Sequence, residues 1–233
     1  MNIRAVLFDM GETLIRYDYD SPSEVFGRIL VSLGISTSMR QIEDAFASAQ
    51  KEAEGLGLRS SFGKIGCDEY WNRWDSLVLK HAGIPNHAEL GEIVQSKWFD
   101  FLSCAPYPEV RGVFAQLRRR ELKVGLISAG YEVEIRHILQ RAGLEDGLFD
   151  VMVGVDTVRK VKPDPDVFRY AVNALNVDAR EALFVGDSVE MDYDGARAAG
   201  MKALLVRRRD TSAEDSSRAE TIRSLKEIFR FID

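Results

Sequence analysis

Phe184-Val185-Gly186-Asp187-Ser188-Val189-Glu190-Met191-Asp192 opens as an apolar run, turns at a glycine and closes on acids. Unbroken apolar sequence suits a strand buried on both faces, and such strands belong to parallel sheets whose carboxyl ends carry sites. The segment therefore brings two acids to a strand tip and the turn after it, a setting that favours a hard cation. Similar apolar runs stand at residues 3–9, 122–128, about 150–155 and 202–206, with helix-like sequence between them. Alternating strands and helices predict an α/β fold: a parallel, Rossmann-like sheet covered by helices on both faces.

The strand signal stops between Ile15 and Cys104. Helix starts take over at Ser21-Pro22-Ser23-Glu24, Ser38-Met39-Arg40-Gln41 and Asn86-His87-Ala88-Glu89, which resemble capping boxes. Val25, Ile29, Leu30 and Leu33, and again Leu90, Ile93, Val94 and Trp98, recur at helical spacing. Residues 15–104 are thus predicted to be an inserted bundle of about four helices, with residues 1–14 and 105–233 forming the α/β core. Large aromatics such as Trp71, Trp74, Trp98 and Phe101 are expected in the bundle's interior. The glycine-rich stretch from Gly55 to Gly66 has no helical period and reads as a mobile loop. The run Arg207-Arg208-Arg209 reads as a solvated strand end, followed by a polar loop and a helix to about Ile228.

The chain has 233 residues and a formal net charge of -6 with both signs interspersed. That balance argues against nucleic acid or an anionic membrane as partner, because either needs a concentrated basic surface. Cys67 and Cys104 are the only cysteines, and no leader or bilayer-length apolar run is evident. Reduced thiols, a cytoplasmic location, a small-molecule partner and a monomer or homodimer are the expectation.

Four motifs carry chemistry. Phe8-Asp9-Met10-Gly11-Glu12-Thr13-Leu14 puts a carboxylate and a hydroxyl around a tight turn, and Gly125-Leu126-Ile127-Ser128-Ala129-Gly130 puts a hydroxyl and backbone N–H groups at a second strand tip. Val161-Lys162-Pro163-Asp164-Pro165 offers a fixed cation before a proline-punctuated helix start. The acidic segment quoted first continues into Asp194-Gly195-Ala196. Taken in order, the four resemble the haloacid dehalogenase superfamily, with Lys-Pro-Asp-Pro and Gly-Asp-Ser-x-x-x-Asp-x-x-Gly-Ala the specific elements. The insert is similar to the helical cap of its small-metabolite phosphatase and dehalogenase branch.

The resemblance implies an aspartyl-phosphate formed on Asp9 and then cleaved by water. It implies Mg²⁺ held by Asp9, the Gly11 carbonyl and Asp187, with Asp192 nearby through water or through Lys162. Thr13, Ser128, the Ala129 N–H and Lys162 would hold phosphate oxygens of a small phosphorylated metabolite. The cap would choose the substrate, with Arg59 and Lys64 of the glycine-rich loop as candidate contacts to a second anionic group. One departure concerns the position two residues after the nucleophile. Phosphatases of this family usually carry a second aspartate there as acid and base, and this chain has Gly11; Glu12 is a candidate substitute. Three readings follow: a Mg²⁺-dependent phosphatase, a 2-haloacid dehalogenase-like enzyme that needs no metal, and a weakly catalytic protein that binds metal or ligand. Gly11 suits the second and third, Asp187 the first.

Overall fold

The computed structural model describes residues 2–18, 21–144, 146–208 and 219–232. From the N-terminus the elements are β1 (Ala5–Phe8), β2 (Ile15–Tyr17), four helices α1 (Pro22–Ser32), α2 (Met39–Gly55), α3 (Cys67–His81) and α4 (His87–Phe101), then β3 (Cys104–Pro106), α5 (Val110–Arg119) and β4 (Lys123–Ile127). There follow α6 (Glu132–Arg141), β5 (Val151–Val153), α7 (Val155–Val158), α8 (Pro165–Ala174), β6 (Ala182–Gly186), α9 (Gly195–Ala198), β7 (Lys202–Val206) and β8 (Thr221–Ile222). Two compact units divide the chain, Met1–Arg16 with Cys104–Asp233, and Tyr17–Ser103.

The first unit is an α/β core around a six-stranded sheet in the order β5-β4-β1-β6-β7-β8, every pair parallel. All residues of β1 and β6 are buried, as their unbroken apolar sequence requires. Ala5, Leu7, Ile127, Phe168, Phe184 and Ala203 are among the side chains that close the core on one face of the sheet. β1 lies between β4 and β6, so the chain leaves it in one direction and returns on its other side. Crevices outside the carboxyl ends of strands form at such a reversal.

The second unit is all-helical. Val25, Phe26, Ile29 and Leu30 of α1 pack with Ile42, Ala45 and Ala49 of α2, Val78 and Leu79 of α3, and Val94 of α4. Gly91 lets α4 approach α3 closely, since a Cβ there would lie 3.2 Å from both Asn72 O and Ser76 N. Trp74, Trp98 and Phe101 pack against this core, whereas Trp71 joins Phe62 and Tyr70 in a separate aromatic group. β2 and β3 pair as a small sheet of their own.

Several local expectations are corrected. Of the three predicted capping boxes only Ser38 caps, accepting the Gln41 N–H at 3.2 Å; Ser21 Oγ meets Ser23 Oγ instead, and Asn86 sits at φ 55 with no side-chain cap. Within the glycine-rich stretch Arg59–Ser61 makes a 3₁₀ turn, and the Ser61 carbonyl accepts from Lys64 and Ile65. The C-terminal part adds a strand, β8, too short to show any alternation, and its helix Leu225–Arg230 is 3₁₀, capped by Ser224. The polar loop expected from Arg209 through residue 218 lies outside the described residues. Neither cysteine is in a disulfide, and among the described residues no helix is long and apolar enough to cross a membrane.

Candidate active site

Strand register builds the site. Phe8 pairs with Leu126 of β4 on one side and Val185 of β6 on the other, so Asp9, Ser128 and Asp187 all emerge just beyond one edge of the sheet. Asp9 is anchored through its N–H to the Val185 carbonyl, 2.9 Å away. The chain then turns sharply: the Met10 carbonyl accepts from both Leu14 and Ile15, and Glu12 N–H donates to Ile15 O at 2.7 Å.

Lys162, 3% exposed, lies between α7 and α8 and joins the acids. Its Nζ donates to Asp9 Oδ1 and to Asp192 Oδ1, each at 2.6 Å, and stands 5.7 Å from the centroid of the Phe184 ring. Asp192 is held by a π-helical turn, Val189–Asp194, that begins at the tip of β6. Its second oxygen accepts the Ser188 N–H at 3.0 Å, and the Ser188 hydroxyl accepts the Met191 N–H at 3.2 Å. Asp192 thus points at Lys162 with both oxygens engaged.

Gly186 makes this arrangement sterically feasible, because a Cβ there would fall 2.4 Å from Asp192 Cγ. Gly186→Ala is expected to cost about 1–3 kcal/mol by forcing Asp192 off Lys162. Urea unfolding measures it, and an unchanged midpoint would refute the close-approach explanation.

Ligand oxygens of Asp9, Asp187 and Asp192 lie within 4.8 Å of one another. Three carboxylates therefore face one ammonium in a largely enclosed space. Burial, together with the neighbouring Asp9 and Asp192, pushes the Asp187 carboxyl up to about 7. Burial likewise raises Asp9, to about 6, against the pull of Lys162 and with a further push from Asp192. Burial alone would lower Lys162, but Asp9 and Asp192 outweigh it and hold the ammonium charged well above its usual range. Uncompensated negative charge on an all-oxygen donor set is what a hard divalent ion relieves, so these residues fit Mg²⁺.

Ser128 is buried at the tip of β4 with its N–H on Val153 O, and Ala129 beside it is exposed. Gly11 bridges to Ile15 within the turn. Thr13 is fully buried, and among the described residues its hydroxyl has no hydrogen-bond partner. Arg59 stands in the helical unit and pairs with Glu54 at 3.1 Å on an exposed surface. The Glu12 carboxylate accepts from the Tyr107 hydroxyl at 2.9 Å.

Arg208 is not the solvated strand end that the arginine run predicts. Its side chain is 8% exposed, paired with Glu109 and stacked on the Tyr107 ring 3.7 Å away. Neither Tyr107 nor Arg208 carries a signal in the sequence beyond Arg208 lying two residues past a predicted strand.

The description haloacid dehalogenase-like hydrolase matches residues 3–200 of the chain. The chain belongs to this family. A curated relative of this haloacid dehalogenase-like hydrolase, the glyceraldehyde 3-phosphate phosphatase of Methanopyrus kandleri, is 27% identical over 88% of the chain and 84% of its own length. The (S)-2-haloacid dehalogenase of Pseudomonas sp. (strain YL) is 33% identical over 77% of the chain and 78% of the relative. A crystal structure of a phosphatase of the family from Thermococcus onnurineus superposes with a TM-score of 0.63 at 25% identity, covering 99% of this chain and 98% of that one.

Proposed function

We propose that this hydrolase is a Mg²⁺-dependent phosphatase of a small phosphorylated metabolite, with Asp9 as nucleophile. The observation that carries the reading is the excess of carboxylates over cations at Asp9, Asp187, Asp192 and Lys162. An anionic phosphate ester approaches such a cluster only once its charge is offset. The relatedness to a glyceraldehyde 3-phosphate phosphatase points the same way.

An Asp9 oxygen attacks phosphorus, forming the Asp9–phosphate bond as the bond from phosphorus to the substrate oxygen breaks, and the departing alkoxide takes its proton from solvent. Water then attacks phosphorus, the bond to Asp9 breaks, and inorganic phosphate leaves. The Ser128 hydroxyl, the Ala129 N–H and Lys162 hold phosphate oxygens, and Asp192 aims Lys162. Asp9, Asp187 and the Gly11 carbonyl would hold the metal ion, with Asp192 behind Lys162. When bound, the ion supplies charge neutralisation and orients the phosphate. The helical unit serves as the cap that selects the substrate, and Arg59 is its candidate contact to a second anionic group.

Haloacid dehalogenation is the second reading, favoured by Gly11 in place of an aspartate and by the relatedness to the dehalogenase. The two are told apart by hydrolysis of an aryl phosphate after dialysis against EDTA: the phosphatase loses turnover and regains it with Mg²⁺. Turnover of a 2-haloacid that resists the chelator would reverse the assignment.

The raised carboxyls also give stability a pH dependence. An unfolded aspartate loses its proton near pH 4, whereas folded Asp187 holds it to about 7 and Asp9 to about 6. The folded chain binds more protons in that window, so these groups' contribution falls as pH rises through it. Metal-free protein should therefore lose several degrees of its thermal midpoint between about pH 5 and pH 8, and millimolar Mg²⁺ should restore most of them. Asp187→Asn should flatten the profile and abolish the Mg²⁺ effect. A midpoint that rises over this range without metal would contradict the arrangement.

A further inference from the structure

Glu12 is a non-glycine residue at φ 52 in the turn directly after Asp9. A glutamate held in the left-handed region is strained and persists only where its surroundings dictate the backbone. Two side chains supply that hold. The Tyr107 hydroxyl donates to Glu12 Oε2 at 2.9 Å, and Arg208 Nη2 donates to the Thr13 carbonyl at 2.6 Å. The Arg208 guanidinium carbon stands over the Tyr107 ring, 3.7 Å from its centroid, so the two act as one piece. Behind them, Glu109 pairs with Arg208 and also accepts from Ser224 Oγ at 3.3 Å and Leu225 N at 3.4 Å. Arg208 thus joins the Glu109 carboxylate to the main-chain carbonyl of Thr13.

We propose that Tyr107 and Arg208 are positioning residues that lock the Met10–Leu14 turn, and with it the Asp9 carboxylate and the Gly11 carbonyl. The proposal rests on the reading of Asp9 as nucleophile. It gives the segment around Ser224 a stake in catalysis, because that segment anchors Glu109 and so Arg208. It also accounts for an arginine whose side chain is only 8% exposed and whose guanidinium bonds a main-chain carbonyl of the nucleophile turn.

Tyr107→Phe removes the hydroxyl while leaving the ring that Arg208 stacks on. Arg208→Lys keeps a charge for Glu109 but loses the flat, two-armed grip. Both are compared with native protein in aryl phosphate turnover with Mg²⁺, and in hydrogen exchange of the peptide spanning Met10–Ile15. Each variant is expected to lower kcat about tenfold or more with KM changed less than about twofold, because small misplacement of a reacting group is costly. Exchange in Met10–Ile15 should quicken while that of β4 and β6 stays native. Native kcat in both variants overturns the proposal, even if their thermal midpoints fall, since the contacts would then be structural only. Should Asp9→Asn turn over like native protein, the nucleophile reading fails on its own, and unchanged exchange in Met10–Ile15 would separately sink the brace.

Discussion

Asp9→Asn is expected to cut phosphate ester hydrolysis by about 10⁴-fold or more and leave the fold intact. An amide has no anionic oxygen to bond phosphorus, so the first displacement is lost rather than slowed. Stability should change by less than about 1 kcal/mol, because two effects oppose. The change removes one partner of Lys162, yet Asp192 still holds that ammonium at 2.6 Å. It also removes a carboxylate that pushes against Asp187. Comparison of kcat with the thermal midpoint separates chemistry from folding. Turnover within about tenfold of native would remove Asp9 from the mechanism.

Lys162→Met should damage both. The methionine fills a similar volume, but it leaves Asp9 and Asp192 without the ammonium that bonds each of them. Breaking a buried ion pair by removing one partner typically costs about 3–5 kcal/mol, and here two pairs share the cation. Loss should be smaller at pH 5 than at pH 8, since the orphaned carboxylates can then take up protons. Turnover should fall by about 10³-fold, from a lost phosphate contact and a misdirected Asp9. A variant as stable as native at pH 8 would contradict the central placement of Lys162.

The parts of this site that were legible in sequence share one property: each sits at the end of an apolar run or in a punctuated turn. Asp9, Ser128 and Asp187 follow strands whose burial their composition announces, and Lys162 stands next to prolines that force a helix start. Gly186 and Asp192 were legible as a spacing, and the structure supplies its reason, the 2.4 Å clearance that only a glycine gives. Tyr107, Glu109 and Arg208 were not legible. Their partners are far along the chain, with Arg208 and Thr13 separated by 195 positions, and nothing local distinguishes an arginine that stacks on a ring from one in water. Asn86 looked like a helix cap, but its left-handed backbone turns the side chain away from that role.

The most direct test is to mix the native chain with an aryl phosphate and Mg²⁺, quench with acid within one turnover, and weigh the peptide that contains Asp9. One phosphoryl group on Asp9 is expected, absent when Mg²⁺ is withheld. Phosphate release with no label on that residue, or a label equally abundant in EDTA, would contradict it.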